Sequence, residues 1–271
     1  LHRLEKRRLP KIAFDFIEGG VADEDGMERN TAAFRRHRLL PRYLVDVSKI
    51  DQTRSLFGRS YSSPFGIAPT GLAGLFRPGA DLMLAEAAAK ANIPYVMSGA
   101  SSASIEAAAK VAPAHAWYQL YGARDRKISE DLIRRTRDAG LSTLMLTVDV
   151  PVSGKRERNI RNGFTRPLKM SAATYLEALL HPAWIIGYLQ SGGMPYFQNW
   201  QPYAPAGAKA EAVADFLSTQ TPAADQTWRD FESFRKLWPG KLVIKGIMHP
   251  EDARRALELG LGGLRNIGGL G

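Results

Sequence analysis

The sequence predicts an α/β fold built from parallel strands, and two observations support this prediction. Short, continuously apolar stretches alternate along the chain with amphipathic stretches of helical period. Polar residues collect at the carboxyl end of nearly every apolar stretch. In parallel α/β proteins the ligand site lies at that end, whether the strands close into a barrel or form an open, doubly wound sheet. The pattern therefore predicts a site at the strand ends.

The individual elements follow from apolar runs and their boundaries. Predicted strands cover residues 63–70, 93–99, 115–122, 142–149 and 241–246, and predicted helices cover 79–91, 102–111, 127–140 and 250–260. Ser129 is expected to cap the third of these helices, while Gly140 and Gly260 are expected to end helices. A long irregular stretch separates the fourth strand from the fifth.

The ends of the five strands carry the candidate site residues. They read Pro69-Thr70-Gly71, Ser98-Gly99, Gln119-Leu120-Tyr121, Thr147-Val148-Asp149 and Lys245-Gly246. Asp149 follows a buried strand, and because five strand ends behave alike we expect it to project into the site. The alternative is a carboxylate that caps the next loop. Lys245 ends an apolar strand, which disfavours a purely surface role.

Composition limits the possible partners. The 271 residues carry a net charge of +10 and no cysteine, which excludes disulfides and thiolate metal sites, and we predict no metal. Nucleic acid, an anionic membrane or acidic small molecules could explain the charge, and so could a solvated basic surface without a partner. The basic residues are dispersed and no nucleic-acid module accompanies them, so no nucleic-acid partner is expected. The charged N-terminal stretch lacks the apolar core of a signal peptide, and the absence of cysteine fits a reducing compartment such as the cytoplasm.

The segment 170–207 differs from the rest of the chain. Between Met170 and Gly207 the only charged residue is Glu177, and aromatic residues are mixed with leucine and isoleucine. The apolar runs are too short and too interrupted for a spanning helix. They suit a segment that lies in a membrane interface, and equally a lid or a subunit-contact loop packed on protein.

Several motifs in the order of the chain resemble one family. The stretches are "LPKIAFDFIEGG", "NTAAFRRHRLLPR", "IAPTGLAGL", "QLY", "TVDVPVSGKRERN" and "KGIMHPEDARRA". Together they resemble the FMN-dependent 2-hydroxy acid dehydrogenases and oxidases, over residues 9 to about 260. "PTGL" and "LLHPAW" are most similar to the membrane-associated mandelate and lactate dehydrogenases. In that group the insertion after the fourth strand attaches the protein to the membrane, which favours the membrane interpretation of 170–207.

This resemblance implies a single domain, 1–271, with a TIM (β/α)8 barrel. The chain would cover the first five to six βα units, with a long insertion after strand 4, and would be incomplete at its C-terminus. FMN would bind at the strand ends, near the backbone of Pro69, Thr70 and Gly71. Ser98, Gln119 and Thr147 would hydrogen-bond the flavin edge, and Lys245 would stabilise its anionic reduced form.

The resemblance also implies roles in catalysis. Tyr121 and Arg156 would bind the 2-hydroxy acid, and Asp149 would stabilise a protonated histidine base. The acid would be oxidised to a 2-oxo acid, and the electrons would pass to a membrane acceptor such as a quinone. The protein would be a homo-oligomer, a tetramer by resemblance, on the inner face of the cell membrane. Gly99 and Ala100 suggest room for a bulky substrate.

Three positions depart from the family pattern. The family carries Ser-Asn-His-Gly-Gly-Arg-Gln after the last predicted helix, where this chain reads "LGLGGLRNIGGLG". Ile267 then replaces the histidine and Leu270 the arginine, while Phe16 replaces a substrate-binding tyrosine. His2, His37, His115, His181 and His249 do not match the motif, and we expect them in surface or core roles.

These departures leave three interpretations of the chain's end open. The chain is an incomplete copy of a normal enzyme, a frameshifted or truncated product without activity, or a true variant with another role. We favour the first interpretation, because the family pattern decays abruptly after Gly260. Two alternative functions follow. The protein is a catalytically inactive scaffold or membrane-binding protein, or a TIM barrel that binds sugar phosphates without redox chemistry.

Overall fold

The protein, as a computed structural model, is described over residues 2–164 and 171–260 and over the backbone of 263–264, apart from the side chain of Ala173. The strands are β1 Arg54–Leu56, β2 Arg59–Tyr61, β3 Tyr95–Met97, β4 Ala116–Tyr121, β5 Thr143–Thr147, β6 Lys241–Lys245 and β7 Gly263–Leu264. The helices are α1 His2–Arg8, α2 Lys11–Glu18, α3 Asp25–Arg36, α4 Ala73–Phe76, α5 Ala80–Lys90, α6 Ile105–Val111, α7 Arg126–Asp138, α8 Glu157–Arg161, α9 Ala172–Leu179, α10 Pro182–Gln190, α11 Ala210–Gln220, α12 Trp228–Leu237 and α13 Pro250–Glu258, with a 3₁₀ turn at Gln201–Tyr203.

The main sheet is parallel and singly wound. Its strands lie in the order β3-β4-β5-β6-β7, so each strand pairs with the next one in the chain. A doubly wound sheet would reverse direction at a switch point, whereas this order is that of a barrel. Ile67 adds a parallel bridge to Tyr95 at the other edge. The arc comprises six strand positions, the first five of which are followed by helices in the described chain, which confirms the predicted partial barrel, and the long insertion follows the fourth strand position, β5.

Two layers stack on the inner face of the arc. Alternate residues of a strand face the same side, so Val96, Trp117, Met145 and Val243 form one buried apolar layer. Leu56 and Phe57 of the β1–β2 hairpin pack beneath it. Two residues further along each strand stand Ser98, Gln119, Thr147 and Lys245. The apolar layer therefore supports a polar layer at the carboxyl ends.

Most helix boundaries confirm the predictions, with one correction. Gly140 and Gly260 have positive φ, +81° and +78°, close after the ends of α7 and α13. Ser129 is not the cap of α7, because Asp125 takes that position and accepts from the backbone N–H of Lys127 at 3.0 Å. Ser129 lies inside the helix, where its hydroxyl accepts from the backbone N–H of Ala123. The helix therefore begins one turn earlier than the serine would have placed it.

The first predicted strand, 63–70, is reduced to the single bridge at Ile67. Pro64 and Pro69 flank that residue and cannot donate to a ladder. Pro94 occupies the neighbouring backbone, so closely that a Cβ on Gly66 would lie 2.8 Å from its ring. The prediction therefore holds for the position of this strand and not for its length.

The insertion divides into an exposed part and an anchored part. The exposed part is α9, α10 and the short link between them, where five apolar side chains are each more than half exposed: Leu176, Leu179, Leu180, Ile186 and Leu189. The anchored part, residues 194–203, buries Phe197 and Trp200 completely or nearly so. Within the residues that the structure describes, none of the helices is long and apolar enough to cross a bilayer.

Arg135 on α7 holds the anchored part in place. Its guanidinium donates to both carboxylate oxygens of Glu106, at 2.9 and 3.1 Å, and to the backbone oxygen of Asn199 at 3.3 Å. Asn199 in turn accepts from the backbone N–H of Ile105 at 2.9 Å. A single arginine thereby joins α6, α7 and the insertion.

We expect Arg135→Met to lower the free energy of unfolding by about 2–3 kcal/mol, because it removes several hydrogen bonds in which both partners are charged or buried. Urea denaturation measures the change. Arg134→Met is the matched control, since Arg134 makes an exposed pair with Asp131 at 3.0 Å and should cost about 0.5 kcal/mol or less. Equal losses in the two variants would contradict the assigned anchor.

The difference in unfolding free energy between wild type and Arg135→Met should depend on pH. Burial opposes ionisation of Glu106, but hydrogen bonds and the charge of Arg135 outweigh it and hold its pKa below 4.5. A depressed folded-state pKa stabilises the protein above the unfolded-state pKa and stops doing so as pH falls through the folded value. The difference between wild type and Arg135→Met should therefore shrink as pH falls below 4.5.

Candidate cofactor and active site

The polar layer is joined by hydrogen bonds that run from strand to strand. Gln119 accepts at Oε1 from the hydroxyl of Ser98 at 3.3 Å and from the backbone N–H of Gly99 at 3.0 Å. Its Nε2 donates to the hydroxyl of Thr147 at 2.8 Å. Ser98, Gln119 and Thr147 are all buried. Three predicted cofactor residues therefore form one ordered row along the carboxyl edge of the sheet.

Lys245 and Asp149 form an ion pair at the end of this row. Lys245 Nζ lies 2.7 Å from Asp149 Oδ2, and both side chains are about four-fifths buried, with exposed fractions of 15% and 20%. Asp149 Oδ1 is buried and has no hydrogen-bond partner among the described residues. A buried carboxylate oxygen without a donor is costly. It is therefore an open acceptor at the site.

Gly246 makes this arrangement possible. Its φ is +103°, and a Cβ at this position would lie only 2.3 Å from Cβ of Asp149. Any side chain would displace Asp149 and would be strained in the left-handed region. The glycine after Lys245 is thus required for the ion pair, a relation that the sequence alone did not indicate.

The loop Pro69-Thr70-Gly71 borders the polar layer. A Cβ on Gly71 would contact Ala100 at 3.5 Å and the Ser98 hydroxyl at 3.8 Å. Gly99 serves packing and not substrate space: a Cβ there would lie 2.7 Å from the Gln119 carbonyl oxygen and 3.1 Å from the Tyr121 ring. The expectation that Gly99 makes room for a bulky substrate is therefore not supported by its surroundings.

Tyr121 and Arg156 lie in different surroundings. Tyr121 ends β4 beside Gly99, and its hydroxyl has no partner within the described part of the chain. Arg156 lies over the Phe16 ring, with 5.4 Å from its guanidinium carbon to the ring centroid, and donates to the Phe16 carbonyl at 3.3 Å. The described hydrogen bonds do not join Arg156 to the strand-end row. Phe16, at the predicted tyrosine position, serves as a stacking surface for this arginine.

The histidines with described contacts are structural. His249 caps α13, His115 contacts Arg59 and Asn92 at the amino end of β4, His181 contacts Glu177, and His2 contacts Glu18. In the described part of the chain, none of these contacts involves Lys245 or Asp149. Ile267 and Leu270, which the sequence comparison with the family motif predicted at the positions of the histidine and the arginine, lie outside the described residues.

A cavity of about 230 Å³ lies near the strand ends, and of the four residues of the polar layer it is lined by Thr147. Val148 and Ile244 line it together with Trp228 and Phe231 of α12. These two strand residues alternate with Thr147 and Lys245 and therefore face the opposite side of the sheet. The cavity belongs to the helix layer, and the polar row faces the interior of the arc.

Trp200 is a site neighbour that the sequence did not reveal. Its indole Nε1 donates to the carbonyl oxygen of Gly99 at 2.7 Å, and the side chain is completely buried. The backbone N–H of Gly99 is the group that donates to Gln119. The anchored part of the insertion is thus bonded to the polar layer through one residue. Trp200 follows Gly99 by 101 residues, so no local sequence pattern indicated this contact.

Comparison with known proteins identifies the family. The model of the family described as "FMN-dependent dehydrogenase" matches residues 5–266, almost the whole chain. The chain belongs to this family. Membership confirms FMN as the cofactor, the barrel fold and the identification as an oxidoreductase, and it decides against a sugar-phosphate-binding barrel without redox chemistry.

Named relatives support the same group. (S)-Mandelate dehydrogenase of Pseudomonas putida is 39% identical over 269 residues, which cover 98% of this chain and 67% of the relative. An L-lactate dehydrogenase of Caulobacter vibrioides is 36% identical over 261 residues, covering 96% and 67%. The crystal structure of the monotopic membrane protein (S)-mandelate dehydrogenase superposes with a TM-score of 0.92 at 38% identity, covering 99% of this chain and 71% of that one.

The residues of the strand ends fit a bound flavin. Its ring edge carries both hydrogen-bond donors and acceptors, and the row of Ser98, Gln119 and Thr147 offers both types at one level. Lys245 adds a cation beside them. The glycines at 71 and 99 keep the neighbouring loops close to the row. The chemistry of the donor set therefore matches the cofactor of the family.

We expect Trp200→Phe to perturb bound FMN, because the Gly99 carbonyl loses its donor and the change is transmitted to Gln119. The absorption maximum and the FMN dissociation constant should both change, the latter by about fivefold for one lost hydrogen bond. Trp238→Phe is the matched control, since its Nε1 donates at 2.8 Å to the Lys241 carbonyl at the opposite end of β6. If both variants leave FMN equally unaffected, the coupling is absent.

Proposed function

We propose that this protein oxidises a 2-hydroxy acid of the mandelate or lactate type to the 2-oxo acid, with FMN as its cofactor. The observation that carries the proposal is the row of Ser98, Gln119, Thr147 and Lys245 at the strand ends, in a chain whose relatives are named mandelate and lactate dehydrogenases. FMN, when bound, accepts the two electrons that leave the hydroxyl-bearing carbon. The protein's own groups supply binding, orientation and electrostatics.

In this proposal Lys245 stabilises negative charge at the flavin edge, and the three neutral residues hydrogen-bond that edge. A preorganised cation in a buried site stabilises developing charge more strongly than water does. Pairing with Asp149 at 2.7 Å holds Lys245 Nζ in one position. The backbone of Pro69, Thr70 and Gly71 would border the bound flavin.

Tyr121 and Arg156 would bind the substrate. The guanidinium fork suits a carboxylate, and the unpartnered Tyr121 hydroxyl can donate to the substrate. Asp149 would stabilise the protonated base that removes the substrate proton, and its open Oδ1 supports that role. Because Ile267 aligns with the family's histidine, the alternative is a catalytically inactive homologue that serves as a scaffold or membrane-binding protein.

The test is the visible spectrum of the purified protein under anaerobic conditions, before and after addition of (S)-mandelate or L-lactate. We expect flavin bands that bleach with substrate. Bands that persist would favour the inactive homologue. A protein that stays colourless after FMN is added and the excess removed would overturn the proposal.

Lys245→Met should slow the bleaching by about 10²–10³-fold, because the cation at the flavin edge is lost. Stopped-flow absorbance measures the rate, and circular dichroism checks the fold. Lys241→Met is the matched control: it removes the exposed lysine at the amino end of the same strand and should leave the rate unchanged. Equal rates in wild type and Lys245→Met would contradict the assigned role.

We also propose that segment 170–207 attaches the protein to the inner face of the cell membrane, where a quinone takes the electrons. The exposed apolar side chains of α9 and α10 support this attachment. The similar (S)-mandelate dehydrogenase of known crystal structure is a monotopic membrane protein. A homo-oligomer, by resemblance a tetramer, would place several such segments on one membrane.

Leu176→Ser combined with Leu179→Ser should weaken binding to phosphatidylcholine vesicles by about tenfold or more, because each leucine loses apolar contact with the acyl region. Vesicle co-sedimentation measures the binding. Leu257→Ser on α13 removes a similarly exposed leucine elsewhere and should have no effect. Unchanged binding of the double variant would show that another surface makes the attachment.

A further inference from the structure

A second cavity, of about 180 Å³, lies beside α10. It opens between the end of α1, the turn that follows α4, and α10 itself. Its lining includes Arg8, Phe76, Arg77, Pro78, Trp184 and Gly187. Trp184 fixes one wall, because its buried indole donates to the Leu75 carbonyl at 2.7 Å.

The cavity is cationic. Arg8 and Arg77 both line it, and within the described chain neither guanidinium has a hydrogen-bond, ion-pair or ring partner. Its lining, among the described residues, contains no carboxylate. Two free guanidinium forks at one small cavity are suited to a phosphate group, which accepts paired hydrogen bonds from arginine.

The neighbouring surface is apolar. Ile186 and Leu189 on α10 and Leu4 on α1 are each more than half exposed, and these are the helices that border the cavity. The end of α1 is held against the start of α10 by the contact of His181 Nδ1 with the Arg7 carbonyl at 3.2 Å. A phosphate site at the edge of an apolar face matches a ligand whose anionic and apolar parts are joined.

We propose that this cavity binds the phosphodiester headgroup of an anionic phospholipid through Arg8 and Arg77. The apolar face favours a lipid over free phosphate, because the acyl chains would continue onto α10. The inference rests on the proposed membrane attachment, to which it adds a defined headgroup site. Trp184 and Phe76 give the cavity its aromatic walls at the level of the headgroups.

The test compares binding to vesicles of pure phosphatidylcholine and vesicles containing one-fifth phosphatidylglycerol, using the protein with FMN bound. Wild type should prefer the anionic vesicles. Arg8→Lys combined with Arg77→Lys keeps the net charge but loses the paired geometry, and we expect the preference to fall by about fivefold or more. Arg3→Lys, also on α1 but outside the cavity lining, should keep the preference.

Several results would overturn the inference. If the double variant keeps the preference, the attraction is spread over the surface and the cavity has no role. If wild type binds both kinds of vesicle equally, the result supports membrane attachment and contradicts the headgroup site. If wild type binds neither kind, the result contradicts both proposals. Soluble dihexanoyl phosphatidylglycerol should bind more tightly than inorganic phosphate, and equal affinities would assign the cavity to free phosphate. The flavin spectrum confirms that each variant is folded.

Discussion

The parallel register of the strands is the constraint on which the rest of this structure depends. Thr147 lies opposite both Tyr121 and Lys245, and Gln119 lies opposite Met145, so residues of equal parity in these strands face the same side of the sheet. On this side the change from apolar to polar occurs at the paired residues Thr147 and Lys245 in β5 and β6, and two residues earlier in register, at Gln119, in β4. A shift of one residue in one strand would bury Val148 or Leu120 among polar groups and turn a site residue toward the helices. The register therefore determines both the apolar layer and the polar layer at the strand ends.

The ion pair between Lys245 and Asp149 adds an electrostatic constraint to this geometry. Two buried charges are tolerated because each neutralises the other, and removal of one partner would leave the other desolvated and unpaired. The pair leaves one carboxylate oxygen open, and this opening marks the position where a donor would complete the site. Gly246 permits the close approach of Asp149, because a side chain at residue 246 would collide with it. The ion pair therefore depends both on the cation at the end of β6 and on the glycine that follows it.

Local patterns predicted much of this. Apolar runs and polar strand ends located the sheet and brought Ser98, Gln119, Thr147, Lys245 and Asp149 into consideration, because period-two alternation depends only on nearby residues. They could not reveal the Lys245–Asp149 pair or the Trp200–Gly99 bond, which join residues 96 and 101 positions apart. Ser129 failed for the opposite reason: two capping residues compete locally, and sequence pattern did not decide between them.

Arg156 shows where sequence pattern alone was insufficient. Its loop carries basic residues that would suit solvent, yet the side chain lies over Phe16 between α2 and α8. Only the family resemblance brought this arginine into consideration. Segment 170–207 was predicted to lie either on a membrane or on protein. Residues 194–203 are packed on protein, as one of the two predictions expects, whereas α9 and α10 expose leucines to solvent.

This division sets where the insertion can be exchanged to make the protein easier to handle in detergent-free solution. Replacing all of 170–207 would remove Trp200 and leave the Gly99 carbonyl, next to the polar layer, without its donor. An exchange that stops before Met194 removes the exposed leucines and keeps the hydrogen bonds of Trp200 with Gly99 and of Asn199 with Arg135. Such an exchange also loses the buried hydrogen bond from the Trp184 indole to the Leu75 carbonyl. A replacement that removes the exposed leucines should therefore end within the insertion, before Met194, and not at residue 207.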